Sequence, residues 1–317
     1  MSAKKHLFIG FGDIARRCAE KLIDHGENVV GIARSDKTIP AGVEFWQGNI
    51  TESGILQRMG QEIFSSVVIT LTPDGRDAQA YRRAYLEPVQ SLVKLWQEHN
   101  PPQRIIFVSS TRVYGQQADD WVDELSPTEP VDEQGELLVQ TEQCLLQSSL
   151  AVCVLRFSGI YGPQRDFLIR QVQAGKMGDN HFTNRIHVED CCGVILYLLR
   201  ELSPQAFPKI LLASDNSPVK SSMIRAWLAQ QLDSAEKRDV EEVREVQELQ
   251  KLQTVQKQNS EVESNAHAEN INQTIKKPAK SRTGSKRCSN AKLLQLGYKL
   301  KYPTYQEGYQ AILQNHS

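Results

Sequence analysis

Gly10-Phe11-Gly12-Asp13-Ile14-Ala15 sets two glycines and a small residue at a spacing that lets backbone N–H groups approach an anion. The segment follows a short apolar run, His6 to Ile9, and opens a stretch with apolar residues at helical spacing (Ile14, Cys18, Leu22) that stops at His25-Gly26. At such a strand-to-helix junction the glycines permit a tight turn, and a diphosphate sits at the positive end of the helix. The expected ligand is a dinucleotide, with Gly10, Gly12, Asp13 and Ile14 as its candidate contacts. The end of the next strand bears on which one. An acid there would hold the ribose 2′-hydroxyl of NAD, whereas an arginine suits the extra phosphate of NADP. Val30-Gly31-Ile32-Ala33-Arg34-Ser35 offers a guanidinium and a hydroxyl at that place. Arg34 and Ser35 therefore predict NADP in preference to NAD, the other reading being a solvent-facing loop arginine.

The elements that must hold this turn alternate along the first 115 residues. Val29 to Ala33, Val43 to Trp46, Val67 to Leu71 and Arg104 to Val108 read as buried strands, and residues 78–98 as a helix ended by Asn100-Pro101-Pro102. Continuous apolar strands between amphipathic helices mean a parallel sheet covered on both faces. The expected fold is α/β, a doubly wound parallel sheet of Rossmann type with a small C-terminal α/β lobe. A helix near 135–148, a strand from Ala151 to Arg156, a helix at 189–202, a strand from Lys209 to Ala213 and a helix from Ser221 to Leu232 continue the pattern. The expected organisation is a dinucleotide-binding core over 1–165, a small substrate-side lobe with returning core elements over 166–233 and 282–317, and an insertion over 234–281. In that insertion, Val240, Val243, Val246, Leu249, Leu252 and Val255 recur every third residue, so the apolar line winds around a helix instead of forming one seam. Residues 256–281 have almost nothing to bury and read as a flexible linker.

Composition narrows the function classes. The 37 Lys and Arg nearly cancel the 38 Asp and Glu, for a net charge of −1, which argues against wholesale binding to nucleic acid or an anionic membrane. The basic stretch from Lys276 to Arg287 has no interleaved aromatics and abuts a globular segment, which also points away from nucleic acid. No run reaches the ~20 apolar residues of a membrane span, and the amino end reads as a strand, not a leader. Six scattered cysteines without metal-ligand spacing read as reduced thiols, so the expectation is a cytoplasmic protein without a metal.

Four landmarks fall in order: Gly10-Phe11-Gly12, Val108-Ser109-Ser110-Thr111-Arg112-Val113-Tyr114-Gly115, Arg156-Phe157-Ser158-Gly159-Ile160-Tyr161-Gly162-Pro163 and Arg185-Ile186-His187-Val188-Glu189-Asp190. A fifth runs from Ser289-Asn290-Ala291-Lys292-Leu293-Leu294 to Leu296-Gly297-Tyr298. With these residues the chain resembles the extended short-chain dehydrogenase/reductase superfamily, in its NAD-dependent epimerase/dehydratase group, and there a YeeZ-like bacterial branch. The resemblance implies an NAD(P)-binding Rossmann fold and oxidoreductase or epimerase chemistry. Family enzymes use a Ser or Thr with a Tyr-x-x-x-Lys pair, followed by a Glu. Ser110 takes the first place. Counting back from Glu142, and using Gly135, puts the Tyr position on Gln134 and the Lys position on Leu138. A glutamine amide does not titrate and leucine has no charge, so the usual proton relay is missing. Thr111 and Arg112 stand where the family's dehydratases place an Asp-Glu pair, which disfavours sugar dehydration. The short span from Pro163 to Ile186 implies a reduced sugar-nucleotide pocket.

Ser110 and Tyr114 are the catalytic candidates. Tyr114 is the phenol nearest Ser110 in sequence, either a substitute proton donor or a ring packed beneath the cofactor. His187 is read as ordering its loop, with catalytic base as the alternative, and Asp123 and Glu124 as solvated loop carboxylates. Two functions fit these residues. One is a divergent NADP(H)-binding oxidoreductase or epimerase acting on a small carbonyl or hydroxyl substrate whose identity the sequence leaves open. The other is a nonenzymatic NADP(H)-binding protein that reports redox state to a protein partner through 234–281.

Overall fold

The computed structural model describes residues 3–176, 178–234 and 285–314. Seven strands form the central sheet: β1 (Lys5–Ile9), β2 (Asn28–Ala33), β3 (Val43–Gln47), β4 (Ser66–Ile69), β5 (Ile105–Ser110), β6 (Val152–Phe157) and β7 (Ile210–Ala213). They lie in the order β3-β2-β1-β4-β5-β6-β7, and every neighbouring pair is parallel. The order reverses beside β1, between β1 and β4, which is where doubly wound sheets open a crevice for a ligand. Ile9 faces Ile32 on one side and Ile69 on the other, so the glycine turn after β1 emerges at that crevice.

Side chains alternate across each strand and feed two separate cores. Leu7, Ile9, Val67, Ile105 and Phe107 pack on one face, while Phe8, Val68, Ile106 and Leu155 pack on the other. Helices α1 (Asp13–Asp24) and α7 (Val188–Arg200) cover the second face. Helices α2 (Ser53–Gln61), α4 (Glu87–Glu98) and α5 (Glu133–Leu146) cover the first. This is the doubly wound α/β architecture expected of continuous apolar strands. Helix α2, between β3 and β4, is an element beyond those expected and carries a single buried residue, Met59.

The helix expected over 78–98 is interrupted. A short α3 (Ala78–Tyr81) leads into a wide π-type turn, Arg82–Leu86, in which Glu87 N–H donates to the Arg82 carbonyl, before α4 resumes. Pro88 supplies the physical cause. It has no N–H to give the Ala84 carbonyl, and its ring crowds the residue four back, so the turn widens upstream of it.

The chain divides into two units. The first holds residues 1–166, 181–219 and 283–317, including the whole central sheet. The second holds, among the described residues, α6 (Phe167–Gln173), the segment to Asn180, and 220–234 with its helix from 221. Most of the insertion assigned to 234–281, and its winding valine line, lie outside the described residues.

Candidate functional site

Gly10 leaves β1 with φ +89, and its N–H and that of Phe11 both donate to the Ile32 carbonyl at 2.9 and 3.0 Å. A Cβ at Gly10 would stand 2.8 Å from the Thr70 carbonyl group, so both the dihedral and the close approach of β4's exit demand glycine. Gly12 caps α1 without a side chain, and a Cβ there would meet nothing within 4 Å. The first turn of α1 therefore faces open space, with its N–H groups and helix dipole available to an anion.

Two cavities flank this turn, both within the first unit, and share Gly12, Thr70, Leu71 and Thr72 in their walls. One, of about 260 Å³, extends past Gly10 to Arg34, Ser35, Lys37, Asp74 and Arg83. Arg34 is exposed and ion-pairs with Asp74 at 3.3 Å, and Arg83 reaches the same carboxylate at 3.8 Å. Three cations and one carboxylate thus surround the end of β2. Their sum is positive, as a phosphate monoester requires. The other cavity, of about 410 Å³, is lined by Asp13, Ile14, Tyr85, Ser110, Leu138 and Arg165 among others. A dinucleotide fits this pair of cavities: a helix terminus capped by a glycine stands between a cationic pocket and a larger one of mixed polar and apolar walls.

The candidate contacts divide by position. Gly10, Gly12, Arg34 and Ser35 line the first cavity; Asp13 and Ile14 line the second. The Asp13 carboxylate is held by Arg165 at 2.5 Å and by Arg17 at 2.8 Å, and these guanidiniums, working against its burial, keep it below the usual carboxylate range. Ser110 lines the second cavity at the end of β5, its Oγ accepting, among the described residues, only the Arg112 N–H at 3.2 Å. Its own hydrogen is left for a ligand. Leu138, on α5, lines the same cavity. Gln134 does not; its amide donates to the Arg76 carbonyl and accepts from Arg112.

Tyr114 corrects one expectation. It is 1% exposed, is absent from both cavity walls, donates its hydroxyl hydrogen to the Asp123 carbonyl at 2.6 Å and accepts from Arg156 at 2.7 Å. Burial, opposed by Arg156, pushes its phenol up to about 12. With its one proton committed to a backbone oxygen, it is a member of a buried network and not a donor to substrate. That network centres on Glu142, 2% exposed, which accepts from Ser109 at 2.6 Å and from the Arg156 guanidinium at 2.6 Å. Asp123 and Glu124 are likewise not simply solvated: Asp123 accepts from Ser126, and Glu124 accepts the Leu212 N–H on edge strand β7 at 2.8 Å. His187 caps α7, its Nδ1 accepting the Glu189 N–H at 3.2 Å, and burial lowers its pKa to about 4. That geometry is a loop-ordering one.

Sequence reasoning missed Lys37, Arg83 and Arg165 in the cavity walls and, closest to Ser110 in its chemistry, Tyr85. It sits on the π-type turn and lines the second cavity beside Ser110 and Leu138. Nothing in the spacing of residues 78–98 marks a widened turn except Pro88.

A switch-point crevice with a glycine turn, a glycine-capped helix terminus and a cationic pocket at the end of β2 defines a dinucleotide-binding protein of Rossmann type. The chain belongs to the NAD dependent epimerase/dehydratase family, whose model matches residues 10–210. It is 32% identical over 210 residues to protein YeeZ of Escherichia coli K12, covering 62% of this chain and 73% of that one. It is similar, at 30% identity and a TM-score of 0.74 over 99% of both chains, to a solved epimerase/dehydratase structure from Methylobacillus flagellatus. The Bordetella bronchiseptica enzyme WbmG, solved with NAD and UDP, shares the fold at 15% identity and a TM-score of 0.71, covering 99% of this chain and 94% of that one. Among the described residues no helix is long and apolar enough to cross a membrane.

Proposed function

We propose that this chain binds NADP(H) and acts as an oxidoreductase or epimerase on a small carbonyl or hydroxyl substrate. The observation that carries the reading is the pair of adjoining cavities, cationic at Arg34, Lys37 and Arg83 and bearing an available hydroxyl at Ser110. The N–H groups of the first turn of α1, entered through Gly10 and Gly12, hold the diphosphate, and Arg34 and Ser35 hold the ribose phosphate. When bound, the cofactor supplies or accepts a hydride. Ser110 orients the substrate oxygen by hydrogen bonding, while Ile14, Val108 and Leu138 keep water from the reacting carbon.

Calorimetry with NADPH and NADH tests the cofactor assignment. NADPH binds roughly ten- to a hundredfold more tightly, since a charge-assisted contact to the phosphate is worth ~1.5–3 kcal/mol. Arg34→Ala removes most of the difference. Equal affinities in the wild type overturn the phosphate assignment, and binding of neither overturns the function.

Leu138 lines the cavity and stands at the position where the family resemblance implies a lysine, which favours a second reading: an NADP(H)-binding protein without turnover that signals through 234–281. Tight NADPH binding with no oxidation of it by any screened carbonyl would select that reading.

A further inference from the structure

The second cavity contains its own phenol. Of the residues lining it, the titratable ones are Asp13, Arg165 and Tyr85. Asp13 and Arg165 neutralise each other beside the α1 terminus at 2.5 Å. Tyr85 stands apart from them. Its ring meets Phe107 of β5 edge-on, with centroids 6.1 Å apart, three residues before Ser110 on the same strand. Its hydroxyl makes neither a hydrogen bond nor an ion pair among the described residues. Tyr114, by contrast, has spent its proton on Asp123, and Gln134 faces Arg76 and Arg112.

The backbone beneath Tyr85 is unusual in a way that sets the ring's direction. The turn Arg82–Leu86 is widened by Pro88, and such insertions in a helix reorient the side chains they carry. A phenol, a serine hydroxyl and a leucine thereby share one cavity, the leucine marking where the family's cation is missing.

Resting on the oxidoreductase reading above, we propose that Tyr85 is the proton donor of this site, handing its hydroxyl proton to the substrate oxygen that Ser110 orients. In the reductive direction the carbonyl carbon gains one hydride, which carries the two electrons, from the reduced cofactor, and the C=O π pair moves onto the oxygen. The carbonyl oxygen gains the Tyr85 proton to become the alcohol, and the tyrosinate recovers a proton from water in the cleft. Burial raises the Tyr85 phenol above its ordinary range, so it stays protonated at neutral pH. No ammonium lowers it again. The site is therefore built as an acid for reduction and is a poor base for alcohol oxidation.

The full-length chain with 13Cζ-labelled tyrosine tests the assignment, Tyr85→Phe identifying the resonance among the nine tyrosines. Should that variant fail to fold, Tyr85→His identifies it instead. The Tyr85 resonance is expected to shift when NADPH or NADP+ binds, and its phenol to titrate at least one pH unit lower beside the cationic nicotinamide ring of NADP+ than beside the neutral ring of NADPH. Tyr85→Phe is expected to keep NADPH affinity within about threefold while lowering kcat for reduction of 9,10-phenanthrenequinone at least a hundredfold, in the range general acid catalysis supplies. Calorimetric binding of cofactor with an unmoved Tyr85 resonance, or with the wild-type rate kept in Tyr85→Phe, overturns the proton-donor role alone. Absence of cofactor binding in the wild type overturns the function proposal and this one with it.

Discussion

Glu142 is the centre of one buried polar network in the first unit. Its carboxylate receives the Ser109 hydroxyl and the Arg156 guanidinium, and Arg156 in turn bonds the Tyr114 hydroxyl, all within side chains under 6% exposed. Breaking a buried pair costs more than the pair contributes, because the abandoned charge stays desolvated. Glu142→Ala is expected to lower the stability measured by urea unfolding by about 3–5 kcal/mol, whereas Glu142→Gln, which keeps the shape and an acceptor, costs less. A loss under ~1 kcal/mol in the alanine variant would show that Arg156 finds water. The same network shows why nearness to Ser110 in sequence does not bring the Tyr114 hydroxyl to the cavity. Its proximity to Ser110 along the chain is local, but its hydroxyl partner comes from a loop nine residues on.

At the level of elements, the decisive junction is β1–turn–α1. Gly10 combines a positive φ with a contact to the exit of β4, so any side chain both strains the backbone and pushes two parallel neighbours apart. Gly10→Ala is expected to destabilise the chain by at least about 2 kcal/mol and to weaken NADPH binding more than tenfold. Thermal unfolding and calorimetry on the same sample read both, and an unchanged affinity would detach the turn from the ligand. Helix α7 supports the same junction from behind: Glu189, in its first turn, pairs with Arg17 at 2.5 Å and Lys21 at 3.2 Å on α1. The nucleotide-facing helix is thereby tied to the His187 cap.

Across the whole molecule, two buried groups give pH dependences of opposite sign. Burial pushes the Asp215 carboxyl up to about 7, so the folded chain keeps that proton where the unfolded chain has lost it, and stability falls as pH rises from about 4 to 7. His187, lowered to about 4 by burial, does the reverse: the unfolded chain binds the extra proton, and stability rises from about 4 to 6.5. The two partly cancel. Asp215→Asn removes the first alone, so its stability relative to wild type should improve by about 2–4 kcal/mol between pH 4 and pH 8, at roughly 1.4 kcal/mol per decade of shift. Denaturant unfolding at the two pH values checks it, and a constant difference would show that Asp215 is ionised in the fold. The inserted segment is a separate matter, argued from composition. Residues 256–281 have almost nothing to bury, and replacing about 240–278 by a short flexible linker is expected to retain folding and NADPH binding. A stability loss above ~2 kcal/mol would mean that the segment packs on the rest.

What the amino-acid sequence determined by itself was whatever depends on neighbours along the chain. The continuous apolar runs of β1, β2, β4 and β5, the glycine turn, its helix and Arg34 at the end of β2 are all short-range patterns, and the α/β class follows from the alternation of such strands with helices. Even Pro88, whose missing N–H widens the turn before it, is a local cause with a legible residue. Tertiary structure decided everything that turns on which side chains meet across the sheet. It placed Tyr85, far from Ser110 in sequence, in Ser110's cavity, and it gave the Tyr114 hydroxyl to a backbone carbonyl. It also set Glu124 against the N–H of edge strand β7, and Asp74 between Arg34 and Arg83. Hydrogen bonds and burial between distant segments have no periodicity to read. They arise only when the two cores close and each buried donor must find an acceptor within reach.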